Sequence, residues 1–369
     1  MPNDRDDKPD HDDRGGHGGN DDHGGHGHNR ALGHSRVVAR IPMGGVRGTA
    51  GFPEGLAILG DRMYVGTPAS FDTANAPPST ILIYDLEHGE LERSHVVQGE
   101  VTAAPHAVSG LAHDARGRLY VLSTQLGVLR FTPDGRQETY SPPLPDLKPA
   151  NTGAPAPTSP TAFDRPPLPN DLVFDEHGWL YVTDSFQATV WRIPPGGGPA
   201  QPWLQDPRLD AGFGPNGIRL APDRRSFLLA STTTGFGPLT APVPGYIYRV
   251  PVGPHPTLQS FHTFESGGPD GIAFGESGRL YVALALANQI AVLAPDGTEL
   301  GRYGGPAAPG GGMNAPVPWD NPATLAFDDR NRRLLVTNHS LIAGLPDHFM
   351  VYDVYVGERG LPLIRPELP

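Results

Sequence analysis

Short apolar runs that alternate with period two dominate this chain: RMYVGT (62–67), RLYVLST (118–124), WLYVTDS (179–185), SFLLAST (226–232), RLYVALA (279–285) and RLLVTNH (333–339). Side chains on an extended backbone point alternately to opposite faces, so each run predicts a strand with one buried face. Residues 267–304 show the full plan. DGIAF, RLYVALA, QIAVLAP and TELGRYG are four apolar segments separated by GESG, a short polar link and Asp296-Gly297. Tight turns of that kind join antiparallel neighbours. No segment carries a 3.6-residue apolar period of helix length, which disfavours an α/β architecture.

A frame ahead of each first strand recurs six times: FPEGLAI (52–58), AVSGLAH (107–113), LPNDLVF (168–174), GPNGIRL (214–220), GPDGIAF (268–274) and NPATLAF (321–327). At its third residue stand Glu54, Ser109, Asn170, Asn216, Asp270 and Ala323, spaced 55, 61, 46, 54 and 53 residues apart. Four strands at a period near ~40–50 residues, with insertions, predict an all-β six-bladed β-propeller. Closure requires a strand from one end of the chain in a blade built from the other. RVVARIP (36–42) is the preferred candidate for the fourth strand of the last blade, with LPLIRPEL (361–368) as competitor. Residues 1–35 are Asp, His and Gly with little to bury, and read as a disordered tail ahead of a propeller at 36–369. Its six histidines, from His11 to His34, carry no fixed ligand geometry.

Composition narrows the function classes. The net charge of −12 argues against a nucleic-acid surface. No apolar run approaches a membrane span, and MPNDRDDKPD has no apolar leader region, so the cytoplasm is favoured. The absence of Cys excludes disulfides, thiolate nucleophiles and Cys-ligated zinc.

Strands in a blade alternate in direction, so the third-residue column shares one end of the ring with the links between second and third strands and between blades. The long insertions, 68–79, 137–167, 233–245, 304–320 and 340–348, all fall on that end. Long loops over one face of a rigid scaffold build binding pockets. Innermost strands line the central channel, so Glu54, Asn170, Asn216 and Asp270 would bring oxygens into one volume. Two carboxylates meeting there call for a compensating cation. All-oxygen ligation suits Ca²⁺ best, with Mg²⁺ or Mn²⁺ possible and Zn²⁺ less so. Pro133-Asp134-Gly135 and Pro295-Asp296-Gly297 share the same string but follow third strands, and read as hairpin turns.

The frames FPEGLAI, LPNDLVFDEHGWLYVTDS, GPNGIRLAPDRRSFLLAS and GPDGIAFGESGRLYVA together resemble the senescence-marker-protein/gluconolactonase/luciferin-regenerating-enzyme superfamily, over about residues 45–345. Diisopropylfluorophosphatase belongs to the same structural group. The resemblance implies a catalytic divalent ion held by Glu54, Asn216 and Asp270, with Asn170 as ligand or substrate contact. It also implies that Asp270 acts as general base, or as nucleophile in phosphatase-like members, making Asp270 and Asn170 the catalytic candidates. Sugar-lactone members tend to carry an Arg two residues before the mid-chain Asn, where this chain has Leu168.

Other candidates are His106, His339 and His348 in or near the column-end loops, and Asp171 and Asp184 beside the third blade's motif. Ser109 lies outside any G-x-S-x-G elbow. Trp319-Asp320 is a lone WD without a repeat. The reading is a monomeric, metal-dependent hydrolase of a small lactone, ester or phosphoester. The alternative is a non-catalytic propeller that binds a peptide or glycan; a quinone-binding redox propeller lacks the basic channel it would need.

Overall fold

The computed structural model describes residues 32–42, 51–234, 243–304, 317–328 and 330–369. Among the described residues, twenty-four strands form six four-stranded antiparallel sheets, each running from channel to rim. The innermost strands are Leu56–Leu59, Val108–His113, Pro169–Phe174, Pro215–Leu220, Pro269–Phe274 and Pro322–Asp328, of blades 1 to 6. Successive inner strands pack against one another around the ring, and the last packs against the first. Among the described residues there is no α-helix, only three single-turn 3-10 segments. None of the helical segments among the described residues is long and apolar enough to cross a membrane.

The ring closes as expected. Ser35–Arg40 pairs with Met350–Tyr355 and completes blade 6 as its outermost strand. Residues 1–31 of the predicted tail lie outside the described residues, whereas Gly33 and His34 already exchange backbone hydrogen bonds with Tyr355. The competing segment does something else. Leu361 donates its N–H to the Phe274 carbonyl of blade 5, Arg365 reaches the Ile58 carbonyl of blade 1, and Arg118 of blade 2 donates to the Leu368 carbonyl. Residues 360–369 thus form a strap across the end of the channel opposite the column. Leu368 is sunk in the blade 2–3 core with Tyr120 and Trp191.

Turns at that same end explain the DEHG-type strings. Asp175 accepts the backbone N–H groups of His177 and Trp179 and the Tyr181 hydroxyl, and Asp114 does the same for Arg116, Arg118 and Tyr120. One carboxylate closes the turn and pins the following strand. The predicted 137–167 insertion is shorter than expected, because Gln137–Ser141 pairs as the outer strand of blade 2.

A β-bulge recurs in the inner strands. In blades 2 to 6 two consecutive residues of the inner strand face one residue of the second strand: Asn170 and Asp171 oppose Thr183, and Asp270 and Gly271 oppose Ala283. In blade 1, Glu54 and Gly55 both bond to Gly66. The first residue of every bulge is the column residue. A bulge re-aims side chains, and the second residue is left facing the next blade.

That second residue is glycine in blades 1, 2, 4 and 5. A methyl group on Gly271 would stand 2.5 Å from the Ala323 carbonyl oxygen of blade 6, and one on Gly110 would stand 2.9 Å from the Asn170 carbonyl oxygen of blade 3. Gly55 and Gly217 are pressed in the same way onto Ser109 and Asp270. Gly271→Ala is therefore expected to destabilise the fold by roughly 1–3 kcal/mol. Gly66→Ala, whose methyl would meet nothing closer than 3.4 Å, should hold the melting temperature within about 2 °C. Thermal unfolding of the two variants checks the contrast.

Candidate metal centre

Glu54, Ser109, Asn170 and Asp270 line a single pocket at the column end of the channel, of about 740 Å³ with its open mouth included. Asn216 lies just behind this floor, almost wholly buried, and donates its amide to the Thr232 hydroxyl at 2.9 Å and to the Asp270 carboxylate. Ala323 is fully buried and adds no polar atom. The four oxygen-bearing candidates thus come from blades 1, 3, 4 and 5 and belong to one site. Among the described residues no three His, Cys, Asp or Glu side chains cluster as a metal site; this candidate set has two carboxylates and two amides.

The electrostatics of the floor are lopsided. Burial holds the Glu54 carboxyl well above the usual carboxylate range, and the charges of Asp270 and Asp171 push it further. Asp270 is pushed up to about 7 by burial and then by the charge of Asp171, against hydrogen bonds from Asn216 and the Gly271 N–H. Asp171 takes the place that glycine holds in other blades and is compensated. It accepts the Ile218 N–H at 2.9 Å, the Leu172 N–H at 2.8 Å and the Arg219 guanidinium at 2.5 Å. Arg219 is thereby committed beneath the floor, and no Lys or Arg is among the described residues lining the pocket. Two adjacent carboxyls without a countercharge, flanked by neutral amides, suit a hard divalent cation.

The remaining candidates separate. His339 lines the pocket, and its Nε2–H donates to the Ala69 carbonyl at 2.5 Å. Burial lowers its pKa to about 4, so the ring is neutral at pH 7. His106 is held between the carbonyls of Ala104 and Pro77, away from the pocket lining. His348 pairs with Asp320, which also takes the Ser340 hydroxyl. Asp184 gathers the N–H groups of Leu168, Phe186 and Gln187 and the Trp191 indole, and so shapes the blade 3 loop. Trp319 stacks on Tyr352. The two control strings are ordinary turns, with Gly135 bonding back to Thr132 and Asp296 accepting from Thr298. Sequence reasoning missed Phe71, Phe213, Leu286, Asn321 and Ile342, which complete the walls. For Phe71 and Ile342 the available signal was the long insertions that carry them, whereas Phe213, Leu286 and Asn321 lie outside those insertions.

Residues 159–340, which span the inner strands of blades 3 to 6, match the family model described as SMP-30/Gluconolactonase/LRE-like region. Just under half of the chain is thus similar to the SMP-30/gluconolactonase/LRE-like family. Its fold is similar to that of regucalcin, a calcium-binding protein from Agrobacterium tumefaciens, at 16% identity and a TM-score of 0.58, covering 90% of this chain and 96% of that one. A gluconolactonase from Xanthomonas campestris matches at 19% identity and a TM-score of 0.53, covering 90% and 99%. Luciferin-regenerating enzyme matches at 16% identity and a TM-score of 0.58, covering 87% and 97%. No curated protein sequence matches the chain significantly.

The raised proton affinity of Asp270 fixes the sign of a pH effect. Between the ordinary 3.8 and about 7 the folded chain holds a proton that the unfolded chain has lost. The contribution of Asp270 to stability is therefore greatest on the acid side and falls as pH rises through that window, while buried His113 and His339, held neutral, act in the opposite sense. In chelator-treated protein the melting temperature of Asp270→Asn relative to the unmodified chain is therefore expected to rise as pH rises through the window. A difference between the two that does not change with pH in this range would contradict the placement of Asp270.

Proposed function

We propose that this chain is a divalent-cation-dependent hydrolase of a small lactone, ester or phosphoester, acting as a monomer. One observation carries the reading: two carboxyls, Glu54 and Asp270, meet at the channel floor beside Asn170 and Asn216, with no described cationic side chain in the lining. The four residues would hold the ion. Ca²⁺ is favoured by the all-oxygen set and by the calcium-binding relative, with Mg²⁺, Mn²⁺ or Zn²⁺ as other occupants. When bound, such an ion supplies Lewis-acid charge that polarises a carbonyl or phosphoryl oxygen and raises the acidity of water.

The chain's own residues do the rest. Asp270 accepts the proton from the attacking water. A carboxylate of ordinary pKa is a poor base, and burial beside Asp171 raises its affinity for that proton. Asn170, reachable from the pocket, orients the scissile group with its side-chain amide. His339, neutral and fixed by Ala69, offers Nδ1 as a hydrogen-bond acceptor within the pocket. The gluconolactonase relative supports the lactone among the three substrate classes.

Elemental analysis of the purified protein is expected to find about one divalent ion per chain. A lactone, ester and phosphoester screen should show turnover that chelation abolishes and Ca²⁺ restores. Asp270→Asn should lower kcat about 10²–10⁴-fold. Protein free of divalent metal whose turnover ignores chelator would sink the proposal. Binding without turnover of any of the three classes would favour a non-catalytic peptide- or glycan-binding propeller.

A further inference from the structure

The walls of the pocket differ in chemistry from its floor. Above the donors, the described lining includes Phe71, Leu168, Phe213, Leu286, Leu341 and Ile342. Phe71 stacks with Phe186 at a centroid distance of 6.1 Å, and Phe213 meets both rings edge-on at 6.2 and 6.0 Å. The trio is anchored from behind. Arg165 lies over the Phe186 ring at 4.4 Å and donates to the Ala211 and Gly212 carbonyls, which holds the loop that carries Phe213. Phe71 nevertheless remains 49% exposed and Ile342 50% exposed. Large apolar side chains left open beside a polar floor mark a surface that a ligand covers.

A polyhydroxylated lactone would need several hydrogen-bonding partners at these walls, and each hydroxyl left unpaired on burial costs affinity. The walls are mostly hydrocarbon, with Ser70, Thr124, Asn321 and His339 among their few polar side chains. Resting on the hydrolase reading above, we infer that the pocket takes lactones or esters bearing an alkyl or aryl substituent. The reacting carbonyl reaches the floor, and the substituent lies against Phe71, Phe213, Leu286 and Ile342. In the reaction the oxygen of water forms the new bond to the acyl carbon and the C–O bond to the leaving oxygen breaks. That oxygen departs as a hydroxyl carrying a proton, giving a hydroxy acid from a lactone.

The test separates binding from turnover. 2-Heptylcyclopentanone, a ring ketone that cannot be hydrolysed, and 1,5-anhydroglucitol, a polyol of similar size, are titrated into the full chain with Ca²⁺ and followed by ligand-observed NMR. The ketone is expected to bind at least about tenfold tighter, a difference of about 1.4 kcal/mol. Phe71→Ala should weaken the ketone about tenfold and leave the polyol unchanged. Phe71 is half exposed, so its removal should spare the fold, and Ile342→Ala serves as the independent second variant. Equal or tighter binding of the polyol, or no loss in either variant, overturns the inference. Turnover of γ-dodecalactone and glucono-δ-lactone is followed in the same samples. Preference for the sugar lactone overturns the apolar assignment and leaves the hydrolase standing. Ketone binding with neither lactone hydrolysed supports the apolar assignment and removes the hydrolase.

Discussion

Around the channel, neighbouring inner strands approach so closely that a side chain has no room between them at most of the bulges. Glycine at positions 55, 110, 217 and 271 lets one blade's backbone lie on the next blade's carbonyl. Blade 6 closes the circle differently, with the Thr337 hydroxyl donating to the Glu54 carbonyl. This backbone-to-backbone contact fixes how far each inner strand sits from the axis. Because the same bulge carries the column residue, it also fixes where the donors stand. Ring geometry and site geometry are one constraint.

Blade 3 shows what happens when that constraint is relaxed. Asp171 replaces the glycine, and its carboxylate must be met by two backbone N–H groups and by Arg219. A buried charge is tolerated when paired. The pairing commits the guanidinium beneath the floor, and no cationic side chain is among the described residues lining the pocket above it. The floor is therefore left with excess negative charge, and proton affinity rises there while the surrounding sheets stay well packed. That unbalanced charge is confined to one end of a scaffold whose opposite end carries aspartate-pinned turns and a strap.

Much of this was legible in the residues, and the limits have physical reasons. Strand alternation, the repeat, closure by residues 36–42 and the shared register of Glu54, Asn170, Asn216 and Asp270 follow from local pattern, because inner strands are buried on both faces. Gln137–Ser141 was hidden because an outer strand is half exposed, and QETYS carries one large apolar residue. The glycine after Glu54, Asn216 and Asp270 looked like turn chemistry, and only the neighbouring blade shows that it answers a steric demand. His106 and His348 are polar loop residues by sequence, and their roles depend on the Pro77 carbonyl and the Asp320 carboxylate, 29 and 28 residues away. The apolar walls come from loops with no periodicity, so the long insertions pointed to the end of the ring that carries the pocket but not to the side chains that line it.

The way the circle is fastened has a bearing on how the chain is made. Arg36 meets Asp353 across 317 residues, and Arg118 reaches Leu368 across 250. Contacts of such sequence separation form late and slowly. During synthesis the 35–40 strand emerges early and waits, with its hydrogen-bonding edge open, until residue 350 leaves the ribosome. For most of its birth the protein is an unsealed arc with an adhesive flank.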